Sequence, residues 1–230
     1  MKRANSPSSP VRIAVDIWSD VMCPWCIIGY SQLQQALAGL AGEIAADIRW
    51  RPFELNPDLA PEGEDLASHM QRKYGREPDA AMAGQMERIA AEAGYDMRYL
   101  GESAKPERRL WNTLLAHKLL AWAWDSGGAA VQTRLKLALF DAHFQQRRAM
   151  SDPQVLLDIA EAAGLDRGGA QSALADPALE VAVRAEEERA FAMGITSVPT
   201  MLLEGRFLIP GAQGQETYAQ CLRKMASRLS

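Results

Sequence analysis

The chain has 230 residues, 48% of them hydrophobic and 23% charged, enough to bury a full core in one elaborated domain or two small ones. A net charge of −4 without any long run of lysines or arginines argues against nucleic acid or an anionic membrane as a partner. No apolar stretch approaches the ~20 residues that cross a bilayer, and three cysteines are too few to staple an extracellular scaffold.

Residues 1–10 (MKRANSPSSP) hold two basic residues with no apolar run behind them. They read as a short disordered tail rather than a signal peptide, which places the protein in the cytoplasm. Ile13 to Trp18 is rich in β-branched and aromatic residues and is predicted to be a strand, bounded by Ser19-Asp20. Cys23-Pro24-Trp25-Cys26 follows, and from Ile27 to Leu40 apolar side chains recur at helical spacing. A C-x-x-C at a strand-to-helix junction reads as a dithiol/disulfide redox pair.

That position differentiates the two thiols. Pro24 suits the first helical position, where a missing N–H costs nothing. Cys23 then falls at the N-cap, with the free amides of Trp25 and Cys26 aimed at its sulfur. Those donors and the helix dipole are expected to lower its pKa from about 8.5 into the range of about 3.5–7.5. Cys26, inside the first turn on the same face, is expected to be the more buried thiol. The predicted roles are Cys23 as attacking nucleophile and Cys26 as resolving thiol, with Trp25 exposed between them as a contact surface. A buried carboxylate near Cys26 would take its proton; of the two candidates, Asp20 reads as a turn or capping residue and Asp16 as solvent-facing.

Asp47 to Phe53 alternates as a second strand, and Glu54 to Glu64 is a Pro- and Asn-punctuated loop. From Asp65 to about Met193 the pattern is almost wholly helical, broken at Gly75 through Pro78 and at Gly94. A long apolar segment from Leu110 to Trp124 ends at Gly127-Gly128. Ser151 and Gln154 have capping-box spacing around Pro153, and Asp176-Pro177 marks another helix start. Val198 to Leu203 and Phe207 to Ile209 flank Glu204-Gly205-Arg206 as a β-hairpin, and Gly214 to Leu229 is a closing amphipathic helix. The β-containing parts are too small to stand alone. They should pair into one sheet, so the chain is α/β: a tail over 1–10, a first β-containing part over 11–63, a helical insertion over 64–193 and a second β-containing part over 194–230.

Val198-Pro199 adds a second motif. A proline opening a strand sits where its missing N–H breaks no ladder bond. A cis bond there would leave the preceding backbone free to pair with an extended peptide or glutathione. Zinc held by Cys23 and Cys26 needs two more ligands, and Cys221, His69, His117 and His143 show no paired spacing, so no metal is expected. Cys221 reads as a small core residue, and His117 and His143 as interior histidines, with His117 the weaker candidate for a general base.

These motifs resemble the DsbA-like thioredoxin family, in its FrnE-like branch. The matching stretches are Ser19 to Gly29 around the cysteines, Arg51 to Pro57, Asn112-Thr113 with Ala116-His117, Gly194 to Thr200, and Pro210 to Gln213. One departure is Trp111, where a smaller or polar residue is usual. The resemblance implies a thioredoxin fold (βαβ…ββα) interrupted by a large all-helical insertion, with a cis-proline loop facing the dithiol. It implies a thiol–disulfide oxidoreductase or isomerase whose partner is a disulfide- or dithiol-containing protein or glutathione, contacted at Pro24, Trp25, Val198 and Pro199. No cofactor is expected to be bound, glutathione would serve as co-substrate, and a homodimer is compatible with the pattern. The alternative from the same resemblance is a glutathione-dependent isomerase or transferase acting on an aromatic or electrophilic small molecule. Relatives of that kind, similar to 2-hydroxychromene-2-carboxylate isomerase and kappa-class glutathione transferase, carry Ser at the first motif position. Here both positions are Cys, and a second thiol serves to resolve mixed disulfides.

Overall fold

The computed structural model describes residues 9–102 and 104–229, so most of the tail expected over 1–10 lies outside the described residues. The first unit is β1 (Val11–Ser19), α1 (Pro24–Gly39) and β2 (Ile44–Pro52), with β1 and β2 parallel from Val11 opposite Ile44 to Ser19 opposite Pro52. In β1 the side chains of Ile13, Val15 and Ile17 are buried at period two, as a strand lying on a core requires. At the end of the chain, β5 (Thr200–Leu203) pairs antiparallel with β1, and β6 (Phe207–Pro210) with β5. The two distant parts thus form one four-stranded sheet in the order β2-β1-β5-β6. The closing helix α8 (Gln215–Leu229) packs against α1 and the sheet.

Between β2 and β5 run α2 (Leu66–Tyr74), α3 (Ala80–Glu92), α4 (Leu114–Phe144), α5 (Pro153–Ala162), α6 (Arg167–Ala175) and α7 (Pro177–Ala192). The block is not wholly helical. A two-residue antiparallel ladder joins β3 (Glu64–Asp65) to β4 (Arg109–Leu110), and the chain from 93 to 108 is largely irregular. Gly127-Gly128 ends the first helical segment as expected: Gly128, with φ of 67° and ψ of −157°, is non-helical, and a second helical segment runs on from it to Phe144, the two together making α4. The capping box differs. Pro153 occupies the first turn of α5, which makes Asp152 the N-cap; its carboxylate accepts from the Gln154 amide at 2.8 Å. The Ser151 hydroxyl instead donates to the Pro61 carbonyl. Asp176 caps α7 as its sequence suggests.

One core lies between the sheet, α1 and α8, and a second lies within the helical block. They interlock, because Phe140 of α4 and Ala190 of α7 belong to the first while Val21 and Met22 belong to the second. Helix α4 also covers the sheet edge at β2. The Gln132 side chain accepts from the Trp50 amide (2.8 Å) and donates to the Trp50 carbonyl (3.0 Å), taking the place of a neighbouring strand.

Candidate active site

Cys23 is the N-cap of α1 and Pro24 its first residue, so the local sequence sets the dithiol at the helix start. Cys26 is fully buried, Cys23 is 4% exposed, and both thiols are free. The Cys23 thiol donates to the Val198 carbonyl at 3.7 Å, and the Val198-Pro199 bond is cis. The loop preceding β5 therefore lies against the reactive sulfur although it is distant in sequence. Gly29, one turn beyond Cys26 in α1, makes this approach feasible: a Cβ there would stand 3.0 Å from the Pro199 side chain. Trp25 stands 40% exposed beside the pair.

Two further side chains complete the site. Asp20 is fully buried, and its carboxylate accepts from the amides of Met22 (3.0 Å) and Leu55 (2.8 Å) and from the Thr113 hydroxyl (3.5 Å). Burial nevertheless raises its pKa, against those bonds and the nearby charge of Lys136. Lys136, from α4, is also fully buried. Its ammonium donates to the Ser19 carbonyl at 3.3 Å and lies over the Trp50 and Phe140 rings. Burial lowers its pKa to about 8, opposed by the attraction of Cys26, Asp20 and Cys23.

The dithiol ionises as a pair. Its first proton leaves below the ordinary thiol value: burial of Cys26 opposes this, but the hydrogen bond from Cys23, the Lys136 charge and the Ser19 side chain outweigh it. The second proton is held well above that value by the hydrogen bond to the Cys26 sulfur, then by burial and the charges of Cys26 and Asp20. Lys136 favours the singly charged form of the pair, whose remaining proton the two sulfurs share through their hydrogen bond.

The remaining candidates lie elsewhere in the fold. Asp16 is half-buried; it pairs with Arg51 at 2.7 Å, and Arg51 also reaches Glu186. His117 is buried with its pKa pushed well down by burial and then by Lys136, which keeps it neutral and unsuited as a base. His69 pairs with Glu64, and Cys221 is half-buried against the main core, where burial raises its pKa. Among the described residues no three His, Cys, Asp or Glu side chains gather as a metal-binding group, and no helix is long and apolar enough to cross a membrane.

Residues 14–223 match the family model of the DSBA-like thioredoxin domain. The chain belongs to this family. The DsbA-like protein is similar to the crystal structure of a probable DsbA oxidoreductase from Streptomyces coelicolor, with 31% identity and a TM-score of 0.81 over 95% of this chain and 91% of that one. At lower identity its fold is shared with two further structures. One is a cytosolic disulfide reductase DsbM from Pseudomonas aeruginosa with GSH (19% identity, TM-score 0.57, 94% and 96% covered). The other is a 2-hydroxychromene-2-carboxylate isomerase (19%, TM-score 0.60, 94% and 95% covered). The FrnE-like resemblance read from the motifs agrees with these neighbours.

Lys136 is the site residue that sequence reasoning missed, and Asp20, a candidate there, read only as a turn or capping residue. Lys136 had a legible signal. The residues of α4 that turn inward are Gln132, Leu135, Lys136, Leu139 and Phe140, so a lone lysine stands on the apolar face of a helix. Asp20 had less, since an acid in a strand-ending turn caps such turns routinely.

Proposed function

We propose that the DsbA-like protein is a thiol–disulfide oxidoreductase that exchanges disulfides with a protein or glutathione through Cys23 and Cys26. The observation that carries this reading is Cys23 held at a helix N-terminus with its sulfur 3.7 Å from the Val198 carbonyl, and the fully buried Cys26 one turn on. The Cys23 proton passes to Cys26 or to the buried Asp20, and the Cys23 thiolate attacks one sulfur of the substrate disulfide. A Cys23–substrate disulfide forms as the substrate S–S bond breaks, and the leaving thiolate takes up a proton. Where Cys26 carries the proton it passes it to the Asp20 carboxylate; the Cys26 thiolate then attacks the Cys23 sulfur and expels the second substrate thiolate, which takes the proton from Asp20. The substrate gains two electrons and the protein closes its Cys23–Cys26 disulfide; the reverse sequence oxidises a dithiol. Lys136 favours the thiolate in each exchange and loses that charge partner when the disulfide closes. In a reducing compartment such as the cytoplasm the resting form is the dithiol, and the net reaction is reduction or isomerisation.

The test is Cys26→Ser in the presence of glutathione disulfide or a disulfide-bonded protein. A covalent adduct on Cys23, seen as added mass that dithiothreitol removes, is the expected result. Absence of an adduct together with unchanged turnover refutes the two-thiol scheme. Turnover of an aromatic electrophile that needs glutathione and survives loss of Cys26 would replace it with the isomerase or transferase reading.

A further inference from the structure

Beside the dithiol lies a recess of about 170 Å³ that the exchange chemistry does not use. Met22 and Pro24, the two neighbours of Cys23, form one end of it, so its occupant would adjoin the reacting sulfur. The interior is apolar, with Met86, Met97, Leu110, Trp111 and Phe144 among its walls. The rim is cationic: Arg108, Arg109 and Arg147 face it, against the single carboxylate of Glu87. Glu87 pairs with Arg108 at 3.4 Å and also attracts Arg147, while Asp65, outside the lining, attracts Arg109. Arg109 donates to the carbonyls of Glu62 and Gly63, and Arg147 to that of Pro106; carbonyls orient a guanidinium without cancelling its charge. Three arginines against one glutamate leave a surplus of two positive charges over an apolar floor.

Arg147 is a second sign that this charge is placed for use. It has φ of 55°, in the left-handed region, three residues past the end of α4, and the Arg148 amide closes onto the Ala142 carbonyl at 2.9 Å. Glycine is the usual residue at such a helix end, where any side chain is strained. Here the position instead carries a guanidinium turned into the recess. The field is felt by His143 on the same wall, which burial and then Arg108 and Arg147 hold neutral with a pKa of about 4, its Nδ1 without a partner among the described residues. Trp111, the departure from the family pattern, supplies part of the floor and donates its amide to the Met22 sulfur at 3.0 Å.

We propose that this recess is the specificity subsite for protein substrates, accepting a large apolar side chain and a carboxylate carried within two residues of the reacting cysteine. An apolar interior that opens beside Cys23 suits a side chain carried by a short peptide segment continuing from the cysteine. The charge surplus selects acidic over basic neighbours. This rests on the thiol–disulfide reading above.

The test uses the full-length reduced protein and tetrapeptides joined through their cysteine to mercaptoethanol, with either Phe-Glu or Phe-Lys following the cysteine. In the wild type the Phe-Glu peptide is expected to react at least about tenfold faster than Phe-Lys at low ionic strength, an advantage that salt erodes. Arg147→Gly and Arg108→Gln should each bring that ratio below about threefold. The ratio is internal to each protein, so a partly folded fraction cancels, and glycine suits the left-handed backbone at 147 better than arginine does. Equal rates for the two peptides on the wild type, or a ratio that persists in both variants, overturns the subsite. Hydroxyethyl disulfide, small and neutral, separates the two levels. If the wild type reduces it while showing no charge preference, only the subsite fails. If the wild type reduces no disulfide at all, the exchange reading fails and takes the subsite with it.

Discussion

Lys136→Met removes a charge but keeps nearly the same shape, and the structure assigns that change two opposite consequences. Burial lowers the lysine from 10.5 to about 8, which corresponds to roughly 3 kcal/mol of destabilisation whenever it is protonated in the fold. Because the folded pKa lies below the unfolded one, this penalty is complete below pH 8 and fades as pH rises toward 10.5. The Met variant should therefore match or exceed the wild type in stability at pH 7, by up to roughly 3 kcal/mol, with the difference shrinking at alkaline pH. The reactive pair responds in the other direction. Lys136 donates to the Ser19 carbonyl and the Ser19 side chain faces Cys26. At an effective dielectric of about 20, a unit charge in the same buried shell contributes about 2–3 kcal/mol, or roughly 1.5–2 pH units, on the first thiol ionisation. Alkylation of Cys23 by iodoacetamide, followed as rate against pH, should shift its midpoint upward by that amount and slow about 30- to 100-fold well below the midpoint. Denaturant melts of the reduced proteins at pH 7 and pH 10 supply the stability arm. An alkylation profile that coincides with the wild type would refute the assignment of Lys136 to the thiolate.

Other expected outcomes follow from neighbouring contacts. Asp20→Asn turns one acceptor oxygen into an NH2 group facing the Met22 or Leu55 amide, and should cost about 1–3 kcal/mol in chemical denaturation. It should also slow release of the substrate from the Cys23 adduct in stopped-flow measurements. Glu54, buried beside Glu187 and paired with Arg184, has its pKa raised by burial and then by Glu187 to about 7. Its contribution to stability is greatest below pH 4.5 and is lost as pH rises through 7, by roughly 3 kcal/mol at most. Glu54→Gln should accordingly melt higher than the wild type at pH 8 and with a flatter pH dependence; a steeper one would count against it. Gly29→Val would press on Pro199 at 3.0 Å and on the Tyr218 hydroxyl at 3.3 Å. A loss of roughly 1–3 kcal/mol in thermal or denaturant melts and reduced turnover are expected.

Much of this architecture is legible in the chain because its signals are local. The period-two burial of Ile13, Val15 and Ile17, Pro24 opening a helix behind Cys23, and Asp176 before Pro177 each act within a few residues. The hairpin around Glu204-Gly205-Arg206 is equally local, and the need to pair its strands with β1 follows from the small size of each part. What escaped depends on distant burial. Whether Asp20 faces water or the core is decided by Leu55 and Thr113, and the proton balance of the cysteines by a lysine on α4. Ser151 looked like a cap because spacing alone cannot weigh its competing bond to Pro61. The recess near Pro24 is assembled from α3, the 108–111 segment and the end of α4, and no motif announces it.

Gln132 and Lys136 stand one turn apart on α4, the first clasping the backbone of Trp50 and the second reaching beneath the dithiol. The inserted block is therefore a co-owner of the redox centre. Cutting it out and rejoining 63 to 194 would leave Trp50 as a bare strand edge open to self-association, and a C-x-x-C deprived of its counter-cation. In such a protein, the sheet and its insertion stop being exchangeable modules: transplanting the cysteine motif carries the chemistry only if the lysine on the neighbouring helix travels with it.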